Sequence, residues 1–160
     1  MIMPKDFGIN IIDIKVQDAT KYKEEYFEKF DKILLDVPCL GLGVLKRKPD
    51  IKWQKKKEDV ENISKIQYDI LSTCSKYLKP GGKLVYSTCS ILNIENKYSV
   101  FKFLKENENF EIEKINLGQN NKEKNVEKYF KKYVTEEGFI QLYQNERTDG
   151  FFICKLVKKI

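Results

Sequence analysis

The sequence predicts an α/β fold with parallel strands at its centre, and three observations predict it. Two aliphatic runs, Lys32-Ile33-Leu34-Leu35-Asp36 and Lys83-Leu84-Val85-Tyr86-Ser87, are continuous rather than alternating, the pattern of strands covered on both faces. Between them Val60, Ile63, Ile66, Ile70, Leu71, Cys74, Tyr77 and Leu78 recur at three- and four-residue spacing, so Glu58 to Leu78 reads as an amphipathic helix. Strand, helix and strand in that order form a crossover, which makes the strands parallel and puts binding crevices outside their carboxyl ends.

The remaining elements follow in chain order. Ile9 to Val16 predicts a short apolar strand, and Asp18, in Gln17-Asp18-Ala19-Thr20, stands just past its end. Tyr22 to Phe30, charged and aromatic, predicts a short helix or loop over the sheet. Pro38 ends the Lys32 to Asp36 strand, and Gly41 and Gly43 permit a close turn after it. Pro80-Gly81-Gly82 separates the crossover helix from the next strand. Asn93 to Asn107 predicts a second amphipathic helix on Ile94, Tyr98, Phe101 and Leu104, with Asn93 as its cap. Phe110 to Ile115 reads as a strand. Residues 116–135, rich in Asn, Lys and Glu, read as a solvated insertion with little capacity for a core. Gly138 to Tyr143 and Gly150 to Val157 predict two strands joined by the polar Gln144 to Asp149 turn, an antiparallel finish to the sheet.

With 160 residues and 41% hydrophobic content, the chain can build one core and has no room for two full domains. A net charge of +6 suits a nucleic-acid partner, and equally a soluble lysine-rich surface. The most basic stretch, Lys46 to Lys57, holds the single tryptophan and follows Cys39 closely. It reads either as the rim of a crevice that grips phosphates or as a solvated loop with Trp53 packed into the core. The absence of histidine excludes a Cys-His nucleophile, a histidine zinc site and a Ser-His-Asp triad. The four cysteines form no C-x-x-C pair, and no signal peptide or long apolar span is seen, so free thiols in a reducing cytoplasm are expected. Cys74 and Cys154 lie in apolar patterns and read as core. Cys39 and Cys89 each stand just past a strand. If those strands are neighbours, about 4.8 Å apart, the two thiols can face one small planar ligand from two sides.

Five stretches carry a resemblance: Asp31-Lys32-Ile33-Leu34-Leu35-Asp36-Val37-Pro38-Cys39; Gly43 through Trp53; Leu78-Lys79-Pro80-Gly81-Gly82; Leu84-Val85-Tyr86-Ser87-Thr88-Cys89-Ser90; and Thr148-Asp149-Gly150-Phe151-Phe152. In this order they resemble the RsmB (Sun or Fmu) type of 16S ribosomal RNA cytosine-5 methyltransferase, over nearly the whole chain. The resemblance implies a Rossmann-like fold that uses S-adenosylmethionine, and small-subunit ribosomal RNA as partner. It implies Cys89 as the nucleophile that adds to C6 of cytosine, because C5 is too poor a nucleophile to take a methyl group until a thiolate raises its electron density. By the same resemblance Cys39 assists removal of the C5 proton and product release, Asp36 and Asp18 contact the cofactor, and Lys46 and Arg47 contact RNA. No metal and no membrane is implied.

Two departures stand out. Val37 and Leu40 occupy positions where the family usually has alanine and serine, and Leu40 is expected to alter the polarity beside Cys39. At the front, the glycine-rich cofactor loop and the acidic residue after it are not seen, and Met1 to Gly8 corresponds only to the end of a helix. The expectation is therefore the carboxyl-terminal portion of a catalytic domain, incomplete on its amino-terminal side, with a gap in the sheet between the Ile9 to Val16 and Lys32 to Asp36 strands. The alternatives are a non-catalytic RNA-binding remnant and a half-enzyme that completes a separate amino-terminal partner chain.

Overall fold

The computed structural model describes Gly8, residues 10–115 and residues 130–160. The strands are β1 (Phe30–Asp36), β2 (Leu78–Thr88), β3 (Phe110–Ile112), β4 (Ile140–Leu142) and β5 (Phe151–Lys158), and the helices are α1 (Ile51–Gln54), α2 (Lys57–Ser75) and α3 (Lys97–Glu106). They form one sheet in the order β1-β2-β5-β3, with β4 also pairing β5. β1 and β2 are parallel, as the crossover through α2 requires, and Asp36 is in register with Ser87. β5 runs antiparallel to β2, β3 and β4, the antiparallel finish expected from the two final apolar runs.

One core holds these elements together. Leu71 and Ile70 of α2, Val100 and Phe103 of α3, and Leu84, Tyr86, Phe152, Cys154 and Leu156 of the sheet belong to a single buried cluster. Aromatic rings fill its centre, with Phe103 tilted edge-on to Phe110 at 5.1 Å and Phe139 against Phe152 at 5.3 Å. Cys74 and Cys154 are buried in it, as their apolar settings predict, and burial pushes both thiols up.

Several boundaries differ from the sequence reading, each for a local reason. The crossover helix stops at Ser75, and Tyr77 and Leu78 are buried beyond it, Leu78 as the first residue of β2. β2 runs through Pro80-Gly81-Gly82, and the ladder to β1 shifts register between Phe30 and Lys32, which absorbs those residues. α3 begins at Lys97 and turns Ser99, Val100 and Phe103 inward, while Ile94, Tyr98 and Phe101 stay partly exposed. Asn93 therefore does not cap it, and the buried face is partly polar because the residues before α3 join a hydrogen-bond network described below.

The expected Ile9 to Val16 strand is absent over residues 10–16, where Ile11 and Val16 are fully exposed; Ile9 lies outside the described residues. A strand needs a neighbour for its backbone groups, and the described residues place none beside this segment. β1 accordingly lies at the sheet edge, with Leu34 72% exposed. Of the expected insertion, residues 116–129 lie outside the described residues, and Val134 forms a bridge to Ile140. Trp53 is 83% exposed on α1, which removes the packed-core reading of that residue.

Phe103→Ala is expected to lower unfolding free energy by about 3–5 kcal/mol, since a fully buried ring would leave a cavity between α3 and β3. A urea midpoint within error of wild type would show that this contact does not hold the fold.

Candidate active site

The site grows from the carboxyl ends of β1 and β2. Ser87 donates its hydroxyl to the Asp36 carboxylate at 3.1 Å, and the Val37 amide donates to the Ser87 carbonyl at 3.1 Å, so the ladder continues one step past β1. Cys39 lies three residues beyond Asp36, and Cys89 two beyond Ser87. Their Sγ atoms are 2.7 Å apart, both half-buried. The structure thus brings the two thiols together, and closer than expected. They touch each other rather than flanking a gap, so a planar ring enters only by parting them or from one side.

The loops that carry the thiols are locked by backbone contact. The Gly43 amide donates to the Cys89 carbonyl at 2.9 Å, and the Gly150 amide donates to the Gly43 carbonyl at 2.7 Å. A Cβ on Gly43 would collide with the Gly150 carbonyl oxygen and stand 2.8 Å from the Cys89 carbonyl oxygen, so only glycine fits. Gly41 adopts φ 74°, the left-handed region, and starts the short turn at Leu42–Val44. Val37 and Leu40 are buried. The Leu40 amide is also engaged, donating to a buried carboxylate described next.

Beneath the thiols lies a polar network that sequence reasoning missed. Glu95 is fully buried and accepts from the Leu40 amide at 2.9 Å, from Gln67 Nε2 at 3.0 Å and from the Ser90 hydroxyl at 2.5 Å. Tyr86 donates its hydroxyl to the Glu95 carbonyl at 2.7 Å. Asn96 donates to the Ser90 carbonyl and to Gln141 Oε1, each at 3.0 Å, and accepts from Thr88 at 2.6 Å. The available signal was Glu95-Asn96 following a strand-end thiol by six residues, charged and amide groups placed where an exposed helix start was expected.

Burial, then the neighbouring Cys89 thiol, pushes the Cys39 thiol up to about 12, so Cys39 stays protonated at neutral pH. Two sulfurs in contact cannot both carry charge cheaply. Cys39 is therefore held as a neutral thiol, and in the contact between the two sulfurs either can be the donor.

Asp36 is exposed at the end of β1 and joined to β2 through Ser87. Lys46 and Arg47 follow the Gly43 turn and line a recess of about 340 Å³ with Asn145 to Asp149. There Lys46 Nζ donates to the Glu146 carbonyl at 3.0 Å, and Arg47 pairs with Asp149 at 2.6 Å while remaining 70% exposed. Arg147, which sequence reasoning did not single out, lines the same recess.

Asp18 is not brought to the thiols. It holds an Asx turn, accepting from the Thr20 amide and hydroxyl at 2.9 and 2.7 Å, and these bonds keep its carboxyl below the usual range. Its neighbours Ala19 and Thr20 contact Cys74 and Thr73, roughly 10 Å along α2 from Gln67. Among the described residues no group of Cys, Asp and Glu is arranged to hold a metal, and no helix is long and apolar enough to cross a membrane.

Comparison with known proteins bears on this geometry. The family model for the 16S rRNA methyltransferase RsmB/F matches residues 4–157. The probable ribosomal RNA small subunit methyltransferase B of Bacillus subtilis (strain 168) is 39% identical over 154 residues, which are 95% of this chain and 33% of the relative. Ribosomal RNA small subunit methyltransferase B of Klebsiella pneumoniae (strain 342) is 38% identical over 132 residues, 82% of this chain and 27% of the relative. The chain thus spans about a third of the length of these curated relatives. Among solved structures, PH0851 superposes with a TM-score of 0.82 at 29% identity, over 97% of this chain and 33% of that one. NSun6 from Pyrococcus horikoshii, solved with SFG, gives 0.74 at 28% identity, over 97% and 36%. With its paired thiols at the ends of parallel strands and a family match along almost its whole length, the chain belongs to the 16S rRNA methyltransferase RsmB/F family.

Proposed function

We propose that this chain carries the cytosine-attacking part of an RNA cytosine-5 methyltransferase that uses S-adenosylmethionine and acts on small-subunit ribosomal RNA. The observation that carries the reading is the contact of Cys39 with Cys89, two free thiols at one sheet mouth. Cys89, as thiolate, adds to C6 of cytosine; an S–C bond forms and the C5–C6 π electrons move onto C5. S-adenosylmethionine, when bound, supplies the methyl group that C5 takes up.

Cys39 then removes the C5 proton. In the resting site the Cys89 thiol is the second cause, after burial, that holds Cys39 up. Once Cys89 is a thioether it neither shares a proton with Cys39 nor carries charge, so the part of the rise that Cys89 causes is gone and Cys39 gives up its own proton more readily when a base is needed. Cys39 first passes its own proton to water; the thiolate so formed takes the proton from C5, the C5–H electrons re-form the C5–C6 double bond, and the S–C6 bond breaks with its electrons returning to Cys89.

The carboxylates fit the cofactor as hydrogen-bond acceptors. Asp36 is open to solvent and Ser87 ties it to the strand that delivers Cys89, so we assign it the cofactor contact nearest the thiols. Asp18, charged and exposed on its turn, is assigned the outer contact. SFG, an analogue of S-adenosylmethionine, in the NSun6 structure supports this choice of cofactor. Lys46 and Arg47, with Arg147 beside them, are the cations of a recess that Glu146 and Asp149 also line, and we assign these cations to RNA phosphates.

A second reading is favoured by the open edge of β1, where Leu34 is 72% exposed. In it, the chain works with a separate partner chain that extends the sheet. Methylation by the 160-residue chain alone is then absent, and returns when a chain carrying a glycine-rich cofactor loop is added.

With labelled S-adenosylmethionine and a 16S ribosomal RNA transcript, Cys89→Ala is expected to abolish methyl incorporation, whereas Cys39→Ala leaves a protein–RNA adduct that survives denaturing gel electrophoresis. Turnover in the first variant, or no adduct in the second, contradicts the assigned roles. A pH series of iodoacetamide alkylation, read at Cys39 by mass spectrometry, is expected to titrate at lower pH in Cys89→Ala than in wild type. Equal midpoints would remove Cys89 as a cause of the raised Cys39 value.

A further inference from the structure

Glu95 lies six residues beyond Cys89 in the connection between β2 and α3, and its carboxyl group holds both that connection and the loop that carries Cys39. Oε2 accepts the amide of Leu40, the residue after Cys39, and Oε1 accepts the hydroxyl of Ser90, the residue after Cys89. The residue before Cys39 is held by the same cluster, since Gln67 Nε2 donates to the Pro38 carbonyl at 2.8 Å as well as to Glu95 Oε2 at 3.0 Å. The Glu95 backbone is in turn fixed to β2 by the Tyr86 hydroxyl. Three donors converge on one carboxyl group, which as a carboxylate accepts all of them. Glu95 and Gln67 are both fully buried, so these bonds face no competition from water.

We propose that Glu95 is a positioning residue that sets the spacing between the Cys39 and Cys89 thiols by tying their two loops to one carboxyl group. The inference rests on the reading of Cys89 as attacking thiol and Cys39 as its partner. Glu95 bonds to the neighbours of both cysteines rather than to either sulfur, so its effect is on distance and not on the chemistry of a thiol.

The test measures how readily the two thiols pair in the 160-residue chain, with neither RNA nor methyl donor present. In glutathione redox buffer, one oxidised glutathione accepts two electrons from Cys39 and Cys89, giving one internal disulfide and two reduced glutathiones. The equilibrium constant for that exchange reports the effective concentration of one thiol at the other. Glu95→Ala and Glu95→Asp, which respectively delete and shorten the bridge, are expected to lower the constant by about tenfold. Glu95→Gln keeps the shape: its carbonyl accepts from Leu40 and Gln67 and its amide donates to Ser90, so the constant stays near wild type. Protection of Cys74 and Cys154 from alkylation reports that the core is intact.

An unchanged constant in the alanine and aspartate variants overturns the proposal, as does a fall in the glutamine variant equal to that of alanine. Loss of Cys74 and Cys154 protection in step with thiol pairing makes Glu95 a residue of the fold and also overturns it. The methylation reading stands or falls separately, on the trapped adduct.

Discussion

The parallel ladder between β1 and β2 is the constraint on which the site depends. Its register sets Asp36 opposite Ser87, and from that pair the chain has only three residues on one side and two on the other in which to reach Cys39 and Cys89. A slip of one residue would send alternate side chains to the opposite face of the sheet. β5 prevents the slip from the far side, pairing antiparallel with β2 from Lys83 to Thr88 and burying Phe152, Cys154 and Leu156 beneath it. The antiparallel finish therefore aligns the strand that delivers Cys89.

Past the strands, contact geometry takes over. Gly43 and Gly150 approach so closely that neither tolerates a side chain, and through them the basic turn at Lys46 and Arg47 is joined to the backbone of Cys89. Positive charge and thiol chemistry thus share one rim. The thiols themselves are in contact, with Cys39 held neutral, which makes entry of a base a matter of separating two sulfurs that buried polar groups hold together. Glu95 is the group through which that separation is governed.

Much of this was legible in the sequence because the relevant signals are local and apolar. Continuous aliphatic runs around Leu34 and Val85, and the three- and four-residue spacing of Ile70, Leu71 and Cys74, specify strands and helix without outside help. The cysteines could be placed at strand ends for the same reason. What was not legible depends on partners. Residues 10–16 have the composition of a strand, yet a strand exists only beside another, and the described residues give this segment none. α3 presents Ser99 rather than Tyr98 to the interior because Glu95 and Asn96 before it are satisfied there by Leu40, Ser90, Thr88 and Gln141, groups up to 55 residues away. A carboxyl group has no sequence signature for burial; its donors supply it.

The central claim is that Cys39 and Cys89 form one two-thiol site. The most direct measurement is titration of the 160-residue chain with phenylarsine oxide, which closes a ring across two adjacent thiols with loss of one water, followed by alkylation and peptide mass spectrometry. Stoichiometric uptake that shields Cys39 and Cys89 together, and that disappears when either is replaced by alanine, is the result this account predicts. Free alkylation of both cysteines in the presence of excess arsenoxide would contradict it.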